Sequence, residues 1–142
     1  MTGDYSYEAH LVFEKTSLQT IICNDIPGAS DTDIKRLLEQ VEVANVKERI
    51  IYEKAFFTSY YYQTEVKRAS VPTGYYGSMQ ALVPCLPDGI GFGLYIDNGM
   101  IASFEGYTYG APWPKDLSRF ELVHLVETED GGNWFPKASW EK

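Results

Sequence analysis

The sequence predicts an α+β fold: one domain over residues 1–142, a twisted, mainly antiparallel sheet, and one principal helix at about residues 31–41. The helix would pack on one face of the sheet to give two layers. Three observations predict it. The chain of 142 residues has the length of one domain able to bury a core without staples. Phe, Trp and Tyr make up 15% of it, with eleven tyrosines, a density that suits sheets with amphipathic faces. Most of the chain after Val43 alternates with a period of two, and only one segment before it carries clear helical punctuation.

Taken in order, Tyr7 to Lys15 sets Tyr7, Ala9, Leu11 and Phe13 against Glu8, His10 and Glu14, the pattern of a half-buried strand. Leu18 to Cys23 reads as a second short strand, with a helix as the alternative for this region. Ser30 then precedes Asp31 and Asp33, an N-cap followed by acidic residues in a first turn. Ile34, Leu37, Leu38 and Val41 recur behind it at helical spacing. Val46–Glu53, Ala55–Thr64 and Tyr76–Val83 read as strands, with Val71-Pro72-Thr73-Gly74 as loop punctuation. Phe120–Glu127 is a further strand, and Trp134, Phe135 and Trp140 suggest that the tail returns to pack.

Gly89 to Pro114 reads as a hairpin around Asp97-Asn98-Gly99. A two-residue turn would place Leu94 opposite Ser103 and Phe92 opposite Glu105. A three-residue loop pairs Ile96 with Met100, Leu94 with Ala102 and Phe92 with Phe104, and is preferred because it leaves one clean apolar face. The other face then carries Tyr95, Ser103, Glu105, Tyr107 and Tyr109, beside a trough left by Gly91 and Gly93. This face is either a solvated surface over twist-permitting glycines or a groove for a partner side chain or ligand. Trp113, held between Pro112 and Pro114, is either a plug for the end of the core or an anchor for a partner.

The segments Phe56-Phe57-Thr58, Gly91-Phe92, Asn98-Gly99, Glu105-Gly106-Tyr107-Thr108-Tyr109-Gly110 and Trp113-Pro114 also follow a shared pattern. Over about Arg49 to Pro114 the chain resembles a loosely defined family of small, mostly bacterial proteins of unestablished activity. In that family an arginine precedes an FF-T-like strand, a hairpin follows, and a Leu-Glu-Gly-Tyr-Thr-Tyr-like segment leads to Trp-Pro. This chain has Glu53, Lys54 and Ala55 where such proteins carry glycines, and Phe104 where they carry leucine. The resemblance implies an immunity-type partner of a bacterial toxin and supplies no catalytic residues.

Chemistry is sparse in the sequence. His10 and His124 read as structural or surface residues, and no Gly-x-Ser-x-Gly, His-Glu-x-x-His or phosphate-loop motif occurs. Gly89-Ile90-Gly91-Phe92-Gly93 precedes a strand instead of opening a helix, so it is no dinucleotide fingerprint. Cys23 and Cys85 stand outside any metal-binding spacing, and a disulfide between them is allowed but unneeded. No metal, cofactor or catalytic residue is expected. Twenty acidic against twelve basic residues give a formal charge of -8, which disfavours nucleic acid and suits a basic partner or plain solubility. No leader or membrane-spanning run is evident, so a cytoplasmic protein is expected.

The leading expectation is a non-catalytic protein-binding module that neutralises a cognate toxin through an acidic, tyrosine-rich surface of Tyr95, Ser103, Glu105, Tyr107, Tyr109 and Trp113. One alternative is a small hydrolase or ligand-binding enzyme around Glu105, Tyr95 and Tyr107, with Asp97 or Asp116 as second carboxylate. Another is a homodimer built through the sheet face or edge.

Overall fold

The computed structural model describes residues 7–84, 86–124, 126–127, 133–134 and 136–140. Cys85, with which a disulfide to Cys23 was allowed but unneeded, and the packing of Phe135 and of the Trp134 side chain lie outside them. The described residues form helices α1 (Tyr7–Asn24) and α2 (Asp31–Val43) and then strands β1 (Asn45–Ile51), β2 (Ala55–Tyr61), β3 (Gly74–Tyr76), β4 (Gln80–Val83), β5 (Leu86–Asp97), β6 (Met100–Thr108), β7 (Glu121–Val123), β8 (Val126–Glu127) and β9 (Asn133–Trp134). The α+β class therefore holds. The main sheet is antiparallel and runs β1-β2-β6-β5-β4-β7, with β3 also paired to β5 and a separate β8-β9 ladder.

The first correction concerns the N-terminal segment, where the expected strands are one 18-residue helix. Its buried positions are His10, Phe13, Glu14, Ser17, Leu18, Ile21 and Ile22, a helical stripe in which three of the seven residues are polar. Meanwhile Tyr7 and Val12 are exposed. Polar residues on the buried side and apolar ones outside blur the 3.6-residue period and leave a local alternation that imitates a strand. The described residues thus hold two helices where one principal helix was expected.

Helix α2 begins where its capping residues indicate. Ser30 Oγ accepts from Asp33 N, and Asp33 Oδ2 accepts from Ser30 N, both at 3.1 Å, a reciprocal capping box. Asp33 also accepts from Ser70 N at 2.8 Å, which ties the loop after β2 to the helix start. At its other end the buried Gln40 donates to Lys67 O and Gly99 O and accepts from Ile101 N, each at 2.9 Å. One amide side chain thereby joins α2 to the turn between β5 and β6.

That turn is the second correction. Asp97 pairs with Met100 and Ile96 with Ile101, so Asn98-Gly99 is a two-residue turn, with positive φ of 51° and 77° as its geometry requires. Beyond it Tyr95 pairs with Ser103 and Leu94 with Phe104, because Ala102 is an extra residue in β6. The bulge restores the apolar face by another route than a longer loop. Ile101 and Phe104 face the core on either side of it, while Met100 and Ala102, expected inside, are only half-buried. At Gly99 an added Cβ would also lie 2.1 Å from Ala69 O, a second reason for glycine there.

The core joins Phe13, Leu18, Ile21 and Ile22 of α1 and Leu37 of α2 to Phe56, Phe92, Leu94, Ile96 and Phe104 of the sheet. The Phe92 and Phe104 rings stack with centroids 5.5 Å apart. Gly106 stands between Phe56 and Phe92 in the cross-strand row, where a Cβ would sit 2.4 Å from the Phe56 ring. Since this neighbour is itself locked among core rings, Gly106→Ala is expected to destabilise the fold by about 1–3 kcal/mol. Urea unfolding at neutral pH checks this, and an unchanged midpoint would show that Phe56 has room to move.

Candidate functional site

The register sorts the expected site residues into rows on the sheet face opposite the helices. One row runs Glu48, Ser59, Ser103, Tyr95, Tyr75, the next Ile50, Phe57, Glu105, Gly93, and the third Ala55, Tyr107, Gly91, Gln80, Val123. Tyr95, Ser103, Glu105 and Tyr107 therefore do share one face, with Tyr109 just past the end of β6 on the same side. Tyr61, Tyr75, Tyr107 and Tyr109 are exposed there.

The glycine trough is filled from within the chain. A Cβ on Gly91 would meet Tyr109 Oη at 2.6 Å and the Tyr107 ring at 2.7 Å, and one on Gly93 would meet Glu105 Oε1 at 2.8 Å. Tyr107 and Tyr109 thus lie across Gly91, in an edge-to-face pair 5.5 Å apart, and Gln80 Nε2 donates to the Tyr109 hydroxyl. Tyr75 and Tyr95 pack at 4.8 Å. Burial, followed by the proximity of Tyr109 and Glu105, raises the Tyr107 phenol above its ordinary value, so it remains a neutral hydroxyl at physiological pH. The face is a shallow aromatic and acidic surface.

Trp113 is not at its edge. Its backbone N–H donates to Glu53 O at 2.6 Å, folding the Pro-Trp-Pro loop back on the β1-β2 connection. Its indole is buried against Phe56, His10 and Phe13, with centroids 5.4, 6.1 and 6.3 Å away. The core-plug alternative describes its position. Asp97, one of the carboxylates suggested as a partner for Glu105, also lies elsewhere. Asp97 is four residues along β5 from Gly93, about 13 Å at strand rise, whereas glycosidase pairs stand about 5–10 Å apart. Asp116 accepts from Ser118 N at 2.8 Å in its own loop.

The chain matches no known family model, curated protein or solved structure. Among the described residues no group of His, Cys, Asp and Glu could hold a metal ion, and no helix is long and apolar enough to cross a membrane.

A second polar constellation, on the helix side of the sheet, was not expected. Glu14 of α1 is buried, and Arg49 of β1 grips it with Nε to Oε1 at 3.1 Å and Nη2 to Oε2 at 2.7 Å. Thr58 Oγ1 donates to Oε1 at 2.9 Å, His10 Nε2 lies 3.1 Å from the same oxygen, and the Tyr60 hydroxyl is 3.5 Å from Oε2. Arg49 Nη1 also donates to Tyr7 Oη at 3.2 Å. Arg49 and Thr58 are direct cross-strand partners, which explains how two strands present both donors to one carboxylate. The i,i+4 spacing of His10 and Glu14 was the only local sign of the cluster, and it becomes legible only once the segment is known to be helical.

Burial alone would push the Glu14 carboxyl up. The hydrogen bonds from His10 and Arg49, the guanidinium charge and the Thr58 hydroxyl outweigh it and hold the group below its ordinary value of 4.5. Burial and the Glu14 charge drive the Tyr60 phenol strongly upward, so it stays protonated. A carboxyl depressed by folding contributes stability that is fully present above its unfolded value. That stability is lost as pH falls through the folded value. The urea midpoint of the wild-type protein is therefore expected to drop as pH falls below about 4.5. Glu14→Gln is expected to remove that part of the pH dependence and to destabilise the protein at pH 7 by at most about 3–5 kcal/mol, since the half-buried Arg49 loses its counter-charge but keeps some contact with water. Parallel pH titrations of the two midpoints would contradict the assignment.

Proposed function

We propose that this protein is a non-catalytic binding domain of the immunity type, which neutralises a cognate toxin by covering it with the open sheet face. The observation that carries the reading is the row arrangement: Tyr61, Tyr75, Tyr95, Tyr107 and Tyr109 stand on one side with Glu48 and Glu105. Tyrosine supplies large contact area with little rotamer freedom to lose, and aromatic residues dominate the energetics of protein interfaces. The carboxylates, within a chain of formal charge -8, favour a basic counterpart and speed its approach. The resemblance of the Arg49–Pro114 region to small bacterial proteins of toxin-immunity type supplies the partner class. A cytoplasmic location fits the same reading.

Trp113 has no direct role in this proposal, since it is buried. Tyr107 is the anchor, because it is exposed on this face and is already held over Gly91 beside Tyr109. Tyr107→Ala is expected to weaken association with a toxin-family protein encoded beside this chain by about 2 kcal/mol. Glu105→Lys should slow association and flatten its salt dependence. Titration calorimetry and stopped-flow binding check both. Survival of full neutralisation in the triple variant Tyr95→Ala, Glu105→Ala, Tyr107→Ala would refute the surface, and failure to bind the neighbouring toxin at all would refute the partner class.

A further inference from the structure

Beside the Glu14 cluster, α1, the end of α2 and the β1 edge of the sheet line a half-open cleft of about 210 Å³. Leu11, Leu18, Val41 and Ile101 supply apolar walls, and Ala44, the residue that ends α2, is too small to fill it. Cavities of about 150 Å³ lined by aliphatic side chains accept a benzene ring, so this one has room for a ring or a short branched chain.

Its polar groups are strongly one-sided. Glu14 lines the space, but Oε1 is engaged by His10, Arg49 and Thr58 and Oε2 by Arg49 and Tyr60, so the carboxylate has little acceptor capacity left for a ligand. Arg49 has five N–H donors, and three are directed at Glu14 and Tyr7, leaving two without a partner among the described residues. Lys15 stands over the same space, about half exposed and bridged to Glu42 at 3.3 Å, where it can swing inward at small cost. Tyr60 also lines the space, and its hydroxyl, which donates to Glu14, keeps acceptor lone pairs, but the charged capacity left over is cationic, above an aliphatic floor.

We infer that this cavity is a binding site for a small apolar carboxylate, one ring or a short branched chain in size, whose carboxylate meets Arg49 and Lys15. The inference is independent of the sheet-face reading, since it uses the opposite side of β1 and β2. The carbonyls at the end of α2 favour positive charge, so a matched amine is the discriminating control.

The test titrates phenylacetate and 4-methylpentanoate into the full chain, with 2-phenylethylamine and 2-phenylethanol as controls, and follows binding by ligand-observed NMR and calorimetry. At least one carboxylate is expected to saturate below about 10 mM and to bind about tenfold or more tightly than either control. Ala44→Phe, which fills the cavity, should weaken it by at least about tenfold with an unchanged circular dichroism spectrum, and Lys15→Ala by about threefold. Should Ala44→Phe fail to fold, Val46→Phe at the cavity wall is read in its place. Failure of both carboxylates to saturate, equal binding of the amine or the alcohol, or unchanged affinity in the filled variant would each overturn the assignment.

Discussion

Burial of the Glu14 carboxylate is the constraint around which the rest of the molecule is arranged. Removing a carboxylate from water costs several kcal/mol even after relaxation. The structure offsets this with donors from three elements: His10 of α1, Arg49 of β1, and Thr58 and Tyr60 of β2. Those donors exist together only in one arrangement. Helix α1 must present His10 and Glu14 on the same side, and β1 must pair with β2 so that Arg49 stands opposite Thr58. A slip of one residue between the strands would turn Arg49 to the other face and leave two charges unpaired. The cluster therefore selects a docking position and a register, and its net contribution to stability is a secondary matter.

Helix α2 uses the same device in neutral form. Gln40, fully buried, takes both its donors and its acceptor to backbone groups at the β5-β6 turn and the preceding loop. Its acceptance of Ile101 N sits one residue before the unpaired Ala102, so the bulge is held by the helix as well as by the ladder. The bulge in turn decides which residues of β6 face inward. Each helix thus fixes the sheet through one polar side chain inserted among apolar neighbours, and the face left free is the one those insertions assign.

Features governed by nearest neighbours in the chain were legible in the sequence. The capping box at Ser30 and Asp33, the start of α2, the strand-rich remainder and the shared face of Tyr95, Ser103, Glu105 and Tyr107 all follow from spacing over a few residues. What was not legible depends on partners distant in sequence. Glu14 and Arg49 are 35 residues apart, and without Arg49 a glutamate on the buried stripe of α1 looks like evidence against a helix. The turn is ambiguous in the sequence for a related reason: a loop of three residues and a turn of two followed by a bulge both yield the same inner face beyond Ala102. Only the clamp by Gln40 distinguishes them.

The period of two along β1 and β2 links the inner and outer surfaces. Arg49 and Thr58 point inward, while Ile50 and Phe57, one residue away on each strand, point outward in the row that contains Glu105. The backbone that carries the outer row is therefore the same backbone that the Glu14 cluster pins from within. A contact face mounted on strands held this way has little backbone entropy left to lose on association, and its tyrosines have only two rotatable side-chain angles each. Association through such a face would spend most of its interaction energy on affinity, where a loop of equal composition would spend part of it on ordering itself. The buried charge pair, which contributes little direct contact area to a partner, is in this sense part of how the outer surface would bind one.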